Sequence, residues 1–284
     1  RMRAASPFIR GAYTPYQRGK IVIFLISSIK NGEKTKKTAP LDEYGQDTYN
    51  KRVIEKISKI QPYGRVIMLQ REGEFRNPSG CAVTGVIDRS GKKMTGESMI
   101  EAISVMHDRS NGLGGGFAGY GIYPHYKDFY AFHLFYETTK AQEETEAFLK
   151  RHFEIVYSSE IQTRKLPSVK NEPGIFRYFL APLPRKLANS HLDEREYVAR
   201  CVIRINAEMK DAYVFSSGKN MGIFKGVGYP EDIGRFYRLE EYEGYAWTCH
   251  GRYPTNTPGW RGGAHPSGLL DLSVVHNGEI SSYD

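Results

Sequence analysis

Two separated segments constrain this chain most: PSGCAVTGVIDRSG around Cys81, and a run from His250 to Ile280 containing HGRYPTNTPGW, AHP and VVHNGEI. Each holds a short apolar strand that meets a Gly-, Pro- or Asn-rich joint, so each has to lie in a sheet and end at its rim. The first places a cysteine directly after a flexible Pro-Ser-Gly joint, at the head of an expected buried strand Cys81 to Ile87 that stops at Asp88-Arg89-Ser90-Gly91. The second supplies Arg252, a Pro- and Gly-rich loop, and an Asn277-Gly278 corner closing a strand. A thiol, a guanidinium fork and an Asn-Gly pair of N–H donors are the parts needed to attack an amide.

The sequence around them alternates between the two regular periods. Apolar positions predict a helix over Glu97 to Asp108, with Met99, Ile100, Ile103 and Met106 on its inner face. Asn111 to Gly121 is a glycine loop running into a strand, Phe129 to Tyr136 an aromatic strand, and Thr139 to Phe153 a charged amphipathic helix. Further strands are expected at Ile175 to Leu180, Ala212 to Ser216, Gly222 to Val227, Tyr245 to Tyr253 and Leu272 to His276. Helices are expected near Glu194 to Met209 and at Glu231 to Leu239. Strands clustered at both ends with helices between them indicate an α+β layered fold rather than regular βαβ alternation.

The formal charge of +8 over 284 residues resembles a nucleic-acid signal until it is located. Residues 1–80 carry 16 Lys/Arg and 7 Asp/Glu, which leaves 81–284 at −1. A basic N-terminal extension or prosegment, densest at Lys34 to Lys37, therefore precedes a nearly neutral domain, and the boundary falls at Pro78-Ser79-Gly80. A solvated extension accounts for this charge better than an RNA-binding arm. Within it, Tyr49 to Ile60 carries a helical stripe of Val53, Ile54, Ile57 and Ile60. The longest apolar stretch, Ile21 to Ile29, is too short to span a bilayer. Basic residues precede it as in a signal peptide, but Lys-rich sequence follows it instead of a cleavage site, so a buried strand is expected. Cysteines 81, 201 and 249 form no CxxC pair, and the eight histidines no HxH or HxxxH pair, so neither a metal nor a cluster is expected on this chain. Free thiols suit a reducing cytoplasm.

Gly114, Gly116 and Gly119 match GxGxxG, yet the loop follows a helix and leads into a strand, the reverse of a dinucleotide site. Adjacent Cys249 and His250 on one strand point to opposite faces and cannot pair. Cys201 sits in a helical stripe as a small buried hydrophobe. Cys81 differs because of its lead-in. A thiol with an ordinary pKa of about 8.5 needs a base. Cutting the chain before Cys81 would supply one, since the freed α-amino group titrates near pH 8. The thiol itself can attack the unshielded Gly80 carbonyl and so release its own leader.

The blocks CAVTGVIDRSG, MHDRSNGLGGGFAGYGIYP, SSGKNMGIFKGVGYP, HGRYPTNTPGWRGGAHP and VVHNGEISS resemble, in this order, a class II glutamine amidotransferase of the N-terminal-nucleophile hydrolase family. The closest variety is the amidotransferase subunit of archaeal-type glutamate synthase. The resemblance, from about Pro78 onward, implies a four-layer αββα sandwich with Cys81 as nucleophile and its own α-amine as base. It maps Arg252 onto the grip on the glutamine α-carboxylate, and Tyr253 and Thr255 onto the lid. It maps His265 onto structural support, and Asn277 with Gly278 onto the oxyanion hole. Tyr253 stands where related enzymes often have tryptophan. The family's aspartate for the glutamine α-amino group lies beyond the chain end, so a domain over 81–284 incomplete at its C-terminus is expected. A glutamate synthase partner would carry FMN and iron–sulfur centres and take up the ammonia. Acceptors such as a sugar phosphate or a nucleotide precursor stay open, as does a non-catalytic regulatory form.

Overall fold

The computed structural model describes residues 21–25, 80–169, 173–253 and 258–277. All of them belong to one compact unit, Arg1–Ser28 with Ser79–Asp284. The second unit, Ile29–Pro78, lies outside the described residues, and with it the expected helix Tyr49 to Ile60 and the Lys-rich run.

The first sheet has five antiparallel strands in the order β1-β2-β11-β4-β9. These are β1 (Ile21–Leu25), β2 (Ala82–Asp88), β4 (Gly115–Tyr120), β9 (Met221–Gly226) and β11 (Ala246–Gly251). Five residues of the apolar stretch beginning at Ile21 form β1, which runs along the free side of β2 from Ile21 opposite Asp88 to Leu25 opposite Thr84. β2 ends where the Asp88 carboxylate accepts from the Ser90 N–H at 2.8 Å and from its hydroxyl at 2.5 Å, an Asx-type turn. Two glycines of the formal GxGxxG, Gly116 and Gly119, lie along β4, where they serve packing. A Cβ on Gly116 would sit 2.4 Å from the His265 carbonyl, and one on Gly119 2.7 Å from the Trp247 ring.

The second sheet is also antiparallel, in the order β6-β7-β5-β8, with β5 (Tyr130–Tyr136), β6 (Phe153–Glu160), β7 (Gly174–Pro182) and β8 (Ala212–Ser216). Every residue of β5, YAFHLFY, is buried. Tyr130, Phe132, Leu134 and Tyr136 pack against α2 (Thr139–His152) and α4 (Glu194–Glu208) through Phe148, Leu149, Val198, Cys201 and Ile205. Ala131 and Phe135 join the other core, which they share with β9 and with the helices α1 (Glu97–Ser104) and α5 (Pro230–Phe236). A strand with two buried faces reads as a continuous apolar run. α2 starts at an N-cap where Thr138 accepts from Ala141 N–H, and α4 at one where Asp193 accepts from Glu196 N–H.

Some expectations shift. The helix expected over Glu97 to Asp108 stops at Ser104 and continues as a 3-10 turn, His107–Arg109. There Met106 and Arg109 bond carbonyls three residues back, a tighter winding that brings Ser110 to the end of β11. Elements without a sequence signal include β6, the short helix α3 (Pro184–Ser190), and the two-residue pair β3 (Met94–Thr95) and β10 (Glu243–Gly244). β6 begins at the residue capping α2, with no Gly or Pro between them. The strand expected from Leu272 is β13 (Leu272–Val274), paired with β12 (Ser267–Leu269).

Buried polar groups join the sheets, among them a histidine. His133 of β5 donates from Nδ1 to the Ile223 carbonyl of β9 at 2.8 Å, and its Nε2 accepts from the Tyr123 hydroxyl at 2.9 Å. Because a carbonyl only accepts, this tautomer is fixed. Burial pushes the ring's pKa down to about 3 from 6.5, so between those values only the unfolded chain takes up the proton. Stability from this group is therefore complete above the unfolded value and lost as pH falls toward the folded one. His133→Phe should cost about 1–3 kcal/mol at neutral pH, by stranding the Tyr123 hydroxyl and the Ile223 carbonyl, and should remove that part of the acid sensitivity. Thermal melts of both proteins from about pH 7 down to about pH 4 check this.

Candidate active site

The site forms at one rim of the first sheet because β11 lies between β2 and β4 in matched register. Gly251 is opposite Ala82 on one side and Gly115 on the other, so Arg252, Cys81 and Gly114 come next to one another just past the strand ends. Arg252 N–H donates to the Gly114 carbonyl at 2.8 Å. The Arg252 carbonyl accepts from the Ser110 hydroxyl at 3.1 Å and from the Asn111 N–H at 3.3 Å. Tyr253 N–H then points at Cys81 Sγ, 3.4 Å away. An N–H donor aimed at sulfur complements the charge a thiolate carries. The Arg252 guanidinium donates from Nη1 to the Pro258 carbonyl at 3.1 Å, which ties it to the far side of the Pro-Gly loop.

Asn277 reaches the same place. A Cβ on Gly80 would lie 3.1 Å from Asn277 Oδ1 and 3.2 Å from an Arg109 guanidinium nitrogen, and Gly80 itself has φ +109°. Both the backbone conformation and the crowding demand glycine at the joint. The Asn277 side-chain oxygen and nitrogen are buried with no hydrogen-bond partner among the described residues. A buried amide left unpaired costs about 1–3 kcal/mol, which makes it a candidate for a partner brought by a ligand. The structure thus brings together Cys81, Arg252, Tyr253 and Asn277. Thr255 and Gly278 lie outside the described residues. His265 packs one layer behind, its ring 4.7 Å from that of His250 and 4.5 Å from that of His276.

Burial and neighbouring histidines push the pKa of His250 down to about 3 and that of His265 to about 4, which holds these two rings neutral. Beside them Lys225 of β9 is 1% exposed. Its ammonium donates to the Gly262 carbonyl at 3.2 Å and the Ala264 carbonyl at 3.0 Å, and burial pushes its pKa down to about 8. It anchors the end of the loop that Arg252 holds at Pro258. Trp260 covers Gly262 and Gly263, where a Cβ would come within 2.0 Å and 2.3 Å of its ring. Lys225, Ser110 and Arg109 escape sequence reasoning; the one available hint is a lysine inside the otherwise apolar strand MGIFKG.

The other cysteines are set apart. Cys249 is fully buried on the face of β11 opposite to that of its neighbour His250, and burial pushes its thiol well up; Cys201 is pushed to about 11 the same way. Among the described residues no group of three His, Cys, Asp or Glu side chains suits a metal ion, and no helix is long and apolar enough to cross a membrane. Lys225→Met keeps the stem and removes the donors. It should lower unfolding free energy by about 1–3 kcal/mol in urea titrations and expose residues 258–264 to limited proteolysis.

A family profile described as Glutamine amidotransferases class-II matches residues 132–283, more than half of the chain. The matched stretch contains Arg252, Tyr253, His265 and Asn277 and begins downstream of Cys81. The chain is also 50% identical over 211 residues to an uncharacterized protein of Archaeoglobus fulgidus, covering 73% of this chain and 56% of that relative. It therefore spans little more than half the length of that relative. With the profile match running through the whole second segment of the site, the chain belongs to the class II glutamine amidotransferases.

Proposed function

We propose that this protein hydrolyses the side-chain amide of glutamine to glutamate and ammonia, with Cys81 as nucleophile. The observation that carries this reading is the Tyr253 N–H on Cys81 Sγ, which sets a thiol from one end of the domain against the residue following Arg252. In the uncut chain the Cys81 nitrogen is a peptide nitrogen and cannot act as a base, so activity requires cleavage between Gly80 and Cys81. The freed amine takes the thiol proton, and the thiolate attacks the amide carbon. Negative charge collects on the former carbonyl oxygen, where the unpaired Asn277 amide and the Gly278 N–H would receive it. The C–N bond breaks, the amine returns its proton to the departing ammonia, and water then releases glutamate from the thioester. Arg252 would hold the substrate α-carboxylate as a planar fork, which lysine cannot reproduce. Tyr253, Thr255 and the 258–264 loop would close over it.

The same reading extends to architecture and partner. Helices α1 and α5 against the first sheet, and α2 and α4 against the second, support a four-layer αββα domain over 81–284. Residues 1–80 would be its prosegment, a boundary that the charge step and the Pro78-Ser79-Gly80 joint support. The ammonia would pass to a glutamate synthase catalytic subunit carrying FMN and iron–sulfur centres; the order and spacing of the sequence blocks support that partner.

Two variants test the chemistry. Cys81→Ala should abolish glutamine-dependent ammonia release, and N-terminal sequencing of active protein should begin at Cys81; full activity in the variant would refute the nucleophile. Arg252→Lys should raise the glutamine KM by about 10- to 100-fold, from loss of roughly 1.5–3 kcal/mol of charged hydrogen bonding. An unchanged KM would mean that the carboxylate is held elsewhere.

A further inference from the structure

We infer that His250 is the positioning residue that sets the Asn277 amide against the Arg252 clamp, an inference that rests on the glutaminase reading of the same site. His250 lies on β11, two residues before Arg252, opposite Val83 on one side and Gly116 on the other. It is 1% exposed. Its Nε2 is 2.9 Å from the carbonyl of His276, the residue immediately before Asn277. A single side chain therefore bridges the strand that delivers Arg252 and the segment that delivers Asn277.

The chemistry of the bond fixes its direction. The carbonyl only accepts, so Nε2 carries the proton and Nδ1 presents a lone pair; that Nδ1 is buried with no partner among the described residues. His250 is thus held by one hydrogen bond and by packing. The packing is close: the His265 ring stands 4.7 Å away at 41°, and Gly116 opposite has no room for a side chain, a Cβ there falling 2.4 Å from the His265 carbonyl. Val274 is held by its pairing with Ser267 of β12 and by the long 3.4 Å contact from His265 Nδ1 to its carbonyl; past the end of β13 it is His250 that holds the His276 carbonyl.

The consequence falls on the transition state rather than on substrate binding. Arg252 is fixed independently through Gly114, Ser110 and Asn111. The amide of Asn277 has to meet an oxyanion at about 2.7–3.1 Å, and a displacement of about 1 Å in such a group costs on the order of 10²-fold.

Asn and Gln make the matched test, because both are neutral amides. Gln places its N–H at the ε position and reaches the His276 carbonyl; Asn places it at the δ position and does not. His250→Asn should lower kcat about 10²-fold with KM for glutamine within about threefold, and His250→Gln should retain kcat within about tenfold. Hydrogen exchange of peptides covering 272–277 supplies a readout independent of turnover: faster in the Asn variant, near wild type in the Gln variant. Equal losses in both variants, or a loss carried by KM, would overturn the inference, as would unchanged exchange in the Asn variant. If the wild-type protein released no ammonia, the glutaminase reading would fail instead, and exchange alone would decide the linkage.

Discussion

The register of β11 between β2 and β4 is the constraint on which the rest depends. Because Gly251 faces both Ala82 and Gly115, three chain segments far apart in sequence leave the sheet at the same rim. A slip of one residue would turn every side chain of β11 to the other face. Cys249 would then face the site and His250 the interior. The glycines of β4 hold the register in place, since the Trp247 ring and the His265 carbonyl occupy the space their side chains would need.

Around that strand the polar groups fall into two kinds. His133 satisfies both ring nitrogens and acts as a fastener between sheets. Near the rim, by contrast, His250 Nδ1 and both polar atoms of the Asn277 side chain are buried without partners among the described residues. Buried polar groups are normally satisfied, and exceptions concentrate where a protein meets a ligand. Lys225 lies between these two kinds, its ammonium held by two loop carbonyls while burial disfavours its charge.

Much of the fold was legible because its strands announce themselves. YAFHLFY, AVTGVID and AYVFS are apolar, β-branched or aromatic, and bounded by turn residues, and they form β5, β2 and β8. β6 was hidden because it continues directly from α2 and is largely exposed, and α3 because its seven residues are too few to show a period. At the site, Cys81, Arg252 and Asn277 were visible as residues at joints, and the structure places them together. Lys225, Ser110 and the backbone contacts of His250 were not, because their roles arise from neighbours distant in sequence.

Trp260 carries a practical consequence. The chain has two tryptophans: Trp247 is wholly enclosed, whereas Trp260 is 57% exposed and lies across the two glycines of the loop. Their emission therefore separates by solvent contact, blue-shifted for the first and red-shifted for the second. A soluble quencher such as iodide would reach only the loop indole, so the protein has a native optical probe of loop opening that needs no attached dye.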